Sequence, residues 1–185
     1  AAFISHSPID EALQNFTEKL SIMMELKYPS IINYIGFSES NFSKKPYPMI
    51  ITDVYKRGTL YDALEDHLSE LTTTKKMINL IGIAFAMNYI HKHNIILHYL
   101  RCSSIMLDDN LHPIIADFNA AKKCHGNSIT HDDEDFLKSV PSYCWAPEFI
   151  SGSEPYSYPI DVFAYGMLFY HVISNEEPTI INNGK

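Results

Sequence analysis

The chain is short of basic residues, of paired cysteines and of long apolar runs, and each shortage removes a class of function. Lys and Arg total 14 against 22 Asp and Glu, a net charge of −8, and no basic run breaks that balance. A nucleic-acid surface is therefore not expected. The three cysteines, Cys102, Cys124 and Cys144, are odd in number and show no C-x-x-C spacing. They read as free thiols in a reducing compartment, so the expected location is the cytoplasm. The most apolar stretch, "INLIGIAFAMNYI" at 78–90, carries two asparagines. It falls short of the roughly 20 residues a membrane span needs, and reads as a buried helix. No signal-peptide pattern opens the chain, and neither a Met at the start nor a capping element at the end is present, so a piece of a longer protein is expected.

What is there is enough apolar residue, 46% of the chain, for one domain with its own core. Residues 9–27 place Leu13, Phe16, Leu20, Met23 and Met24 at helical spacing before Pro29. That predicts a helix with both methionines in its core. The β-branched and aromatic runs 30–39 and 47–56 predict an antiparallel pair. Gly58 predicts a turn and Thr59 the N-cap of a short helix. A long buried helix follows within 72–94, then a hairpin around the Asp108-Asp109-Asn110 turn. Residues 119–142 read as a long exposed loop and 159–174 as another buried helix. The plan is α+β, without internal repeats.

Four short signals fall in one order: "LHYLRCSSIML" at 97–107, "ADFN" at 116–119, "WAPE" at 145–148 and "DVFAYG" at 161–166. Their order and spacing resemble the protein-kinase set H-R-D-L-x-x-x-N, D-F-G, A-P-E and the Asp-led helix beyond. "FTEKLSIMMELKYPSIINYIGF" resembles the helix-C region with its following strand, and "IITDVYKRGTL" resembles the hinge. The "P-S-I-I-N-Y-I-G" and "R-G-T-L" flavour is similar to the tyrosine-kinase-like group. The resemblance implies a two-lobed kinase-like fold truncated at both ends, from about strand three to helix F. Residues 1–55 would be a partial small lobe and 56–185 a partial large lobe.

Carried over position by position, the resemblance implies a site stripped of its charges. The catalytic carboxylate falls on Tyr99, a phenol that is neutral at pH 7. Its preceding Arg and His fall on His98 and Leu97, and the lysine two residues on is matched by Arg101. The metal-binding Asn falls on Ser104, a poorer magnesium ligand. The helix-C glutamate falls on Lys19, and its lysine partner, expected near Ile4, has no counterpart among residues 1–18, which hold no Lys or Arg. The Gly of D-F-G is Asn119, which tolerates a left-handed backbone, and the threonine before A-P-E is Pro141.

The frame, by contrast, is matched. Thr52 falls at the gatekeeper position and Asp53, Val54 and Tyr55 at the hinge; with Met106 they would line a nucleotide pocket. Met23, Tyr34, Phe118 and Leu97 fall on the hydrophobic spine, and Asp161 on the buried carboxylate that binds the catalytic-loop backbone. Asp117 either coordinates a metal ion or is a solvated hairpin-end residue. His91, His93, His98, His125 and His131 fit no zinc spacing, and "HDDED" at 131–135 reads as a solvated acidic loop rather than a phosphate mimic. Tyr99 is expected to pack its ring into the emptied site. The resemblance thus implies a pseudokinase: a binding or allosteric signalling module for protein partners, holding ATP weakly or not at all, with or without magnesium. The alternative is an active ATP-dependent Ser/Thr kinase with atypical catalytic residues.

Overall fold

The computed structural model describes residues 8–45, 47–66, 69–124, 142–151 and 157–179, with side chains from residue 15 onward. Helix α1 (Pro8–Glu25) ends before Pro29, as the apolar spacing predicts. It buries Ile22 and Met23 but leaves Met24 54% exposed, which corrects the reading of both methionines as core. One helical position is a 100° rotation, enough to carry a neighbouring side chain off the buried stripe.

Strands β1 (Tyr34–Ser38) and β2 (Met49–Thr52) pair antiparallel, with Phe37 opposite Ile50 and an irregularity at Ile35. Both are shorter than their apolar runs. Residues 30–32 are drawn away to a second partner: the Ile32 N–H donates to the Ile115 carbonyl at 2.9 Å, and the Ile115 N–H to that of Ser30 at 2.9 Å. Beyond β2 the chain turns at Gly58, whose φ of +74° suits a residue without Cβ. Thr59 then caps α2 (Leu60–Glu65) in a reciprocal box, its Oγ1 accepting from the Asp62 N–H while the Asp62 carboxylate accepts from the Thr59 N–H.

Helix α3 (Thr73–Lys92), capped by Thr72, carries the centre of the core: Leu80, Ile83, Ala86, Met87 and Ile90 are buried. Gly82 lets it lie against the following hairpin, because a Cβ there would come within 2.9 Å of Pro113 Cγ. Asn79, fully buried, fastens the same contact by donating to the carbonyls of Lys75 and Leu111. The hairpin is β4 (Ile105–Leu107) against β5 (Pro113–Ile115), and Asp108 closes its turn by accepting from the N–H groups of Asn110 and His112.

The exposed-loop reading of 119–142 needs correction at its start. Strand β3 (Ile95–Ile96) pairs with β6 (Lys122–Lys123), and Cys124 is buried behind them. A two-residue strand carries no periodicity, so its pairing is set by the partner rather than by local pattern. The HDDED stretch, His125, His131, Pro141 and Ile4 lie outside the described residues. Short helix α4 (Pro147–Ile150) leads to α5 (Pro159–Ser174), which has the predicted bounds and ends on Asn175 in the left-handed conformation.

The result is a mixed α and β chain with a smaller strand-bearing part and a larger helical part, sharing one apolar cluster from Ile22 to Val172. No described helix is long and apolar enough to cross a membrane.

His171 of α5 sits in this core, 2% exposed, edge-on to Tyr61 at 5.8 Å. Burial pushes its imidazole below the ordinary value, against the opposing pull of Glu177 and Glu65, while Lys76 adds to the depression. An unfolded histidine binds its proton near pH 6.5 and this one does so only lower. Native stability is therefore lost as pH falls through about 6.5. Urea unfolding at pH 7.5 and 5.5 is expected to show a fall in stability that shrinks in His171→Gln. An equal fall in both proteins would remove His171 as its source.

Candidate functional site

The site is built around a carboxylate that is completely out of water. Asp161 lies in the first turn of α5, after Pro159, where the helix dipole favours an anion. Its Oδ2 accepts from the Leu97 N–H at 2.8 Å, its Oδ1 from the His98 N–H at 2.8 Å, and Oδ2 also meets His91 Nε2 of α3 at 2.9 Å. These contacts hold the loop 97–104 in a shape it would not choose alone. His98 has a φ of +70°, a left-handed conformation costing a non-glycine residue on the order of 1–3 kcal/mol.

With that loop set, the positions marked by the sequence come together. Tyr99 is 8% exposed and packs with Cys144, with Ala120, Tyr143 and Trp145 around it. The His98 ring lies 6.1 Å from that of Tyr99 and 6.4 Å from that of Phe149. Ser104 is buried and turned onto its own loop: its Oγ accepts from the Arg101 N–H at 3.0 Å and donates to the Arg101 carbonyl at 2.7 Å. Arg101 is half-buried. Asp117, at the exit of the hairpin, is half-buried and accepts the Asn119 N–H on Oδ1 at 3.0 Å. Among the described residues no three His, Cys, Asp or Glu side chains gather as metal ligands.

The spine residues also meet. Met23, Leu97 and Phe118 are buried in the main cluster and Tyr34 packs against it half-buried. The hinge is more open. Val54 is 84% exposed, Tyr55 and Met106 pack against the core, and Met106 bridges to Thr59. The Asp53 N–H donates to the Asn33 carbonyl at 3.3 Å and the Thr52 hydroxyl to the Asp53 carbonyl at 3.3 Å, so part of the hinge bonding is spent within the chain. Burial and then Asp53 and Asp108 push the Tyr55 phenol upward.

Two contributors carry no signal in the sequence pattern. Lys123 of β6 pairs with Glu25 at the end of α1 at 2.6 Å, tying the helix that bears Lys19 to the segment after Asp117. Tyr143 donates to Glu177 Oε1 at 2.7 Å, and burial followed by that bond raises its phenol far above the ordinary value. Cys102 and Cys144 are both buried thiols, pushed up by burial to about 12 and about 11, and so are poor nucleophiles.

Each donor orphaned in a buried site costs about 1–3 kcal/mol, so Asp161→Ala is expected to lower the unfolding free energy by about 3 kcal/mol or more. Urea denaturation measures it. A loss below about 1 kcal/mol would mean that the loop backbone does not depend on this carboxylate.

Comparison with known proteins agrees with the geometry. The profile of the family described as protein tyrosine and serine/threonine kinase matches residues 4–182. A protein named as a serine/threonine-protein kinase/receptor, R831, from Acanthamoeba polyphaga mimivirus is 29% identical over 179 residues, which is 95% of this chain and 10% of that protein. The serine/threonine-protein kinase STY17 of Arabidopsis thaliana is 25% identical over 169 residues, 91% of this chain and 28% of that protein. STY46 of the same plant is 28% identical over 169 residues, 89% and 27%. The chain therefore spans from about a tenth to about three tenths of the length of these curated relatives. The shared profile, the clamped loop and the assembled spine together make this chain a member of the protein tyrosine and serine/threonine kinase family.

Proposed function

We propose that this kinase domain does not transfer phosphate and works as a binding or allosteric module for protein partners, a pseudokinase of the tyrosine-kinase-like group. The observation that carries the reading is the state of position 99. The group there is a phenol, and its ring is packed among Cys144, Tyr143 and Trp145 rather than open to a substrate. A base must reach the proton it removes, and it must be able to hold that proton at working pH.

The family binds ATP and magnesium, but the residues here do not fit a magnesium-bound triphosphate. Ser104 Oγ is used on both sides by Arg101 backbone groups, and one Asp117 oxygen is turned to the Asn119 N–H. Lys19 stands where the family's helix-C glutamate would anchor the phosphate-binding lysine. Phosphoryl transfer draws its rate from positioning and from charge placed around the phosphates, so these changes act in one direction. Nucleotide binding, if retained, is weak and insensitive to magnesium. The buried reduced thiols Cys102, Cys124 and Cys144 suit a cytoplasmic setting.

Loss of a catalytic base alone removes roughly 10²–10⁴ of rate. With radiolabelled ATP and generic peptide substrates, wild type is expected to match Tyr99→Phe at background. Tyr99→Asp is expected to stay inactive as well, because Lys19 and Ser104 still stand where the triphosphate and its metal would be positioned. Thermal shift with ATP should be equal with and without magnesium in all three proteins. Magnesium-dependent turnover by wild type, abolished in Asp117→Asn, would falsify the inactive reading.

A further inference from the structure

We infer that Tyr99 is a clamp: its ring holds the segment 143–146 closed over the catalytic loop and fills the place where a substrate hydroxyl would enter. This rests on the inactive reading and adds a physical state to it. The site would be shut by packing, not only stripped of its base.

The contacts that support it come from three separated stretches of chain. Tyr99 belongs to the loop held by Asp161, Ala120 to the exit of the hairpin, and Tyr143, Cys144 and Trp145 to the segment before α4. The pair Tyr99 and Cys144 is the buried centre on which all three stretches pack, at 8% exposure for Tyr99 and 2% for Cys144. The space left beside it, bounded by His98, Tyr99, Cys144, Trp145 and Phe149, is a cavity of about 10 Å³. That volume holds on the order of one water molecule, so the packing beside Tyr99 is tight.

The residue types agree with a closed state. A carboxylate at position 99 in these surroundings would be buried against aromatic rings and would demand a partner or water. A tyrosine ring gains from the same burial, through apolar area and edge contacts. Trp145 stacks edge-on to Phe149 at 6.1 Å, and its indole Nε1 is buried without a hydrogen-bond partner among the described residues, so packing holds it. On the outer side the Tyr143–Glu177 hydrogen bond pins the same segment to the chain beyond α5. Burial that drives the Cys144 thiol up to about 11 is a further sign of a dry interior.

Trp145 is the single tryptophan of the chain and borders the ring, so it reports the clamp directly. Acrylamide quenching of its fluorescence, with hydrogen exchange over 142–151, should be measured on wild type, Tyr99→Phe and Tyr99→Ala. Tyr99→Phe, which keeps the ring, is expected to stay more shielded than Tyr99→Ala. In Tyr99→Ala quenching should rise about two-fold and exchange over 143–146 about ten-fold, with far-UV circular dichroism unchanged, as for a local opening. If Tyr99→Ala does not fold, Tyr99→Leu takes its place, and quenching above wild type is expected. Shielding in the small variant equal to wild type overturns the clamp, as does a Tyr99→Phe protein as open as the small variant. Phosphotransfer is read separately: an inactive protein with an unclamped Trp145 loses only the clamp, whereas transfer by a shielded wild type loses the inactive reading.

Discussion

One buried carboxylate organises the functional end of this molecule. Asp161 reaches the loop 97–104 through the N–H groups of Leu97 and His98 and reaches α3 through His91, so α5 is joined on two oxygens to elements more than 60 residues away in sequence. The left-handed backbone at His98 persists because those bonds offset its cost. Placement of Tyr99, Arg101 and Ser104 all follows from that loop shape. An ion left unpaired at such depth would be expensive, whereas here the donors and the first turn of α5 satisfy it.

The same arrangement separates architecture from chemistry. Asp161 stabilises the fold whether or not phosphate is ever transferred, and so do Met23, Leu97 and Phe118 in the shared core. The positions that would handle charge are different. Ser104 is turned onto its own turn and Tyr99 is packed under the segment before α4. A kinase frame can therefore hold its shape independently of catalysis, because packing and backbone hydrogen bonds need no magnesium or base.

Much of the frame was legible from local pattern. The N-cap at Thr59, the Asp108 turn, the breadth of α3 and the bounds of α5 follow from short-range rules of capping, turn chemistry and apolar spacing. The motif positions 97–107, 116–119, 145–148 and 161–166 marked the site because their order along the chain is distinctive. Local pattern failed where a partner decided the outcome. Residues 30–32 bond to β5 instead of lengthening β1, β3 pairs with β6 over two residues, and Met24 faces outward beside the buried Met23.

What the sequence by itself determined is the list of groups: a phenol at 99, a serine at 104, a lysine at 19 and an aspartate at 161. Residue identity settles which charges exist, and no folding can restore one that is absent. Only the tertiary structure decided how those groups are used. It turned the Ser104 hydroxyl back to Arg101, joined Glu25 to Lys123 across 98 positions, and set the Tyr99 ring beneath Cys144 and Trp145. Such contacts join segments far apart in sequence, and they arise only when burial of the common core brings those segments within bonding distance.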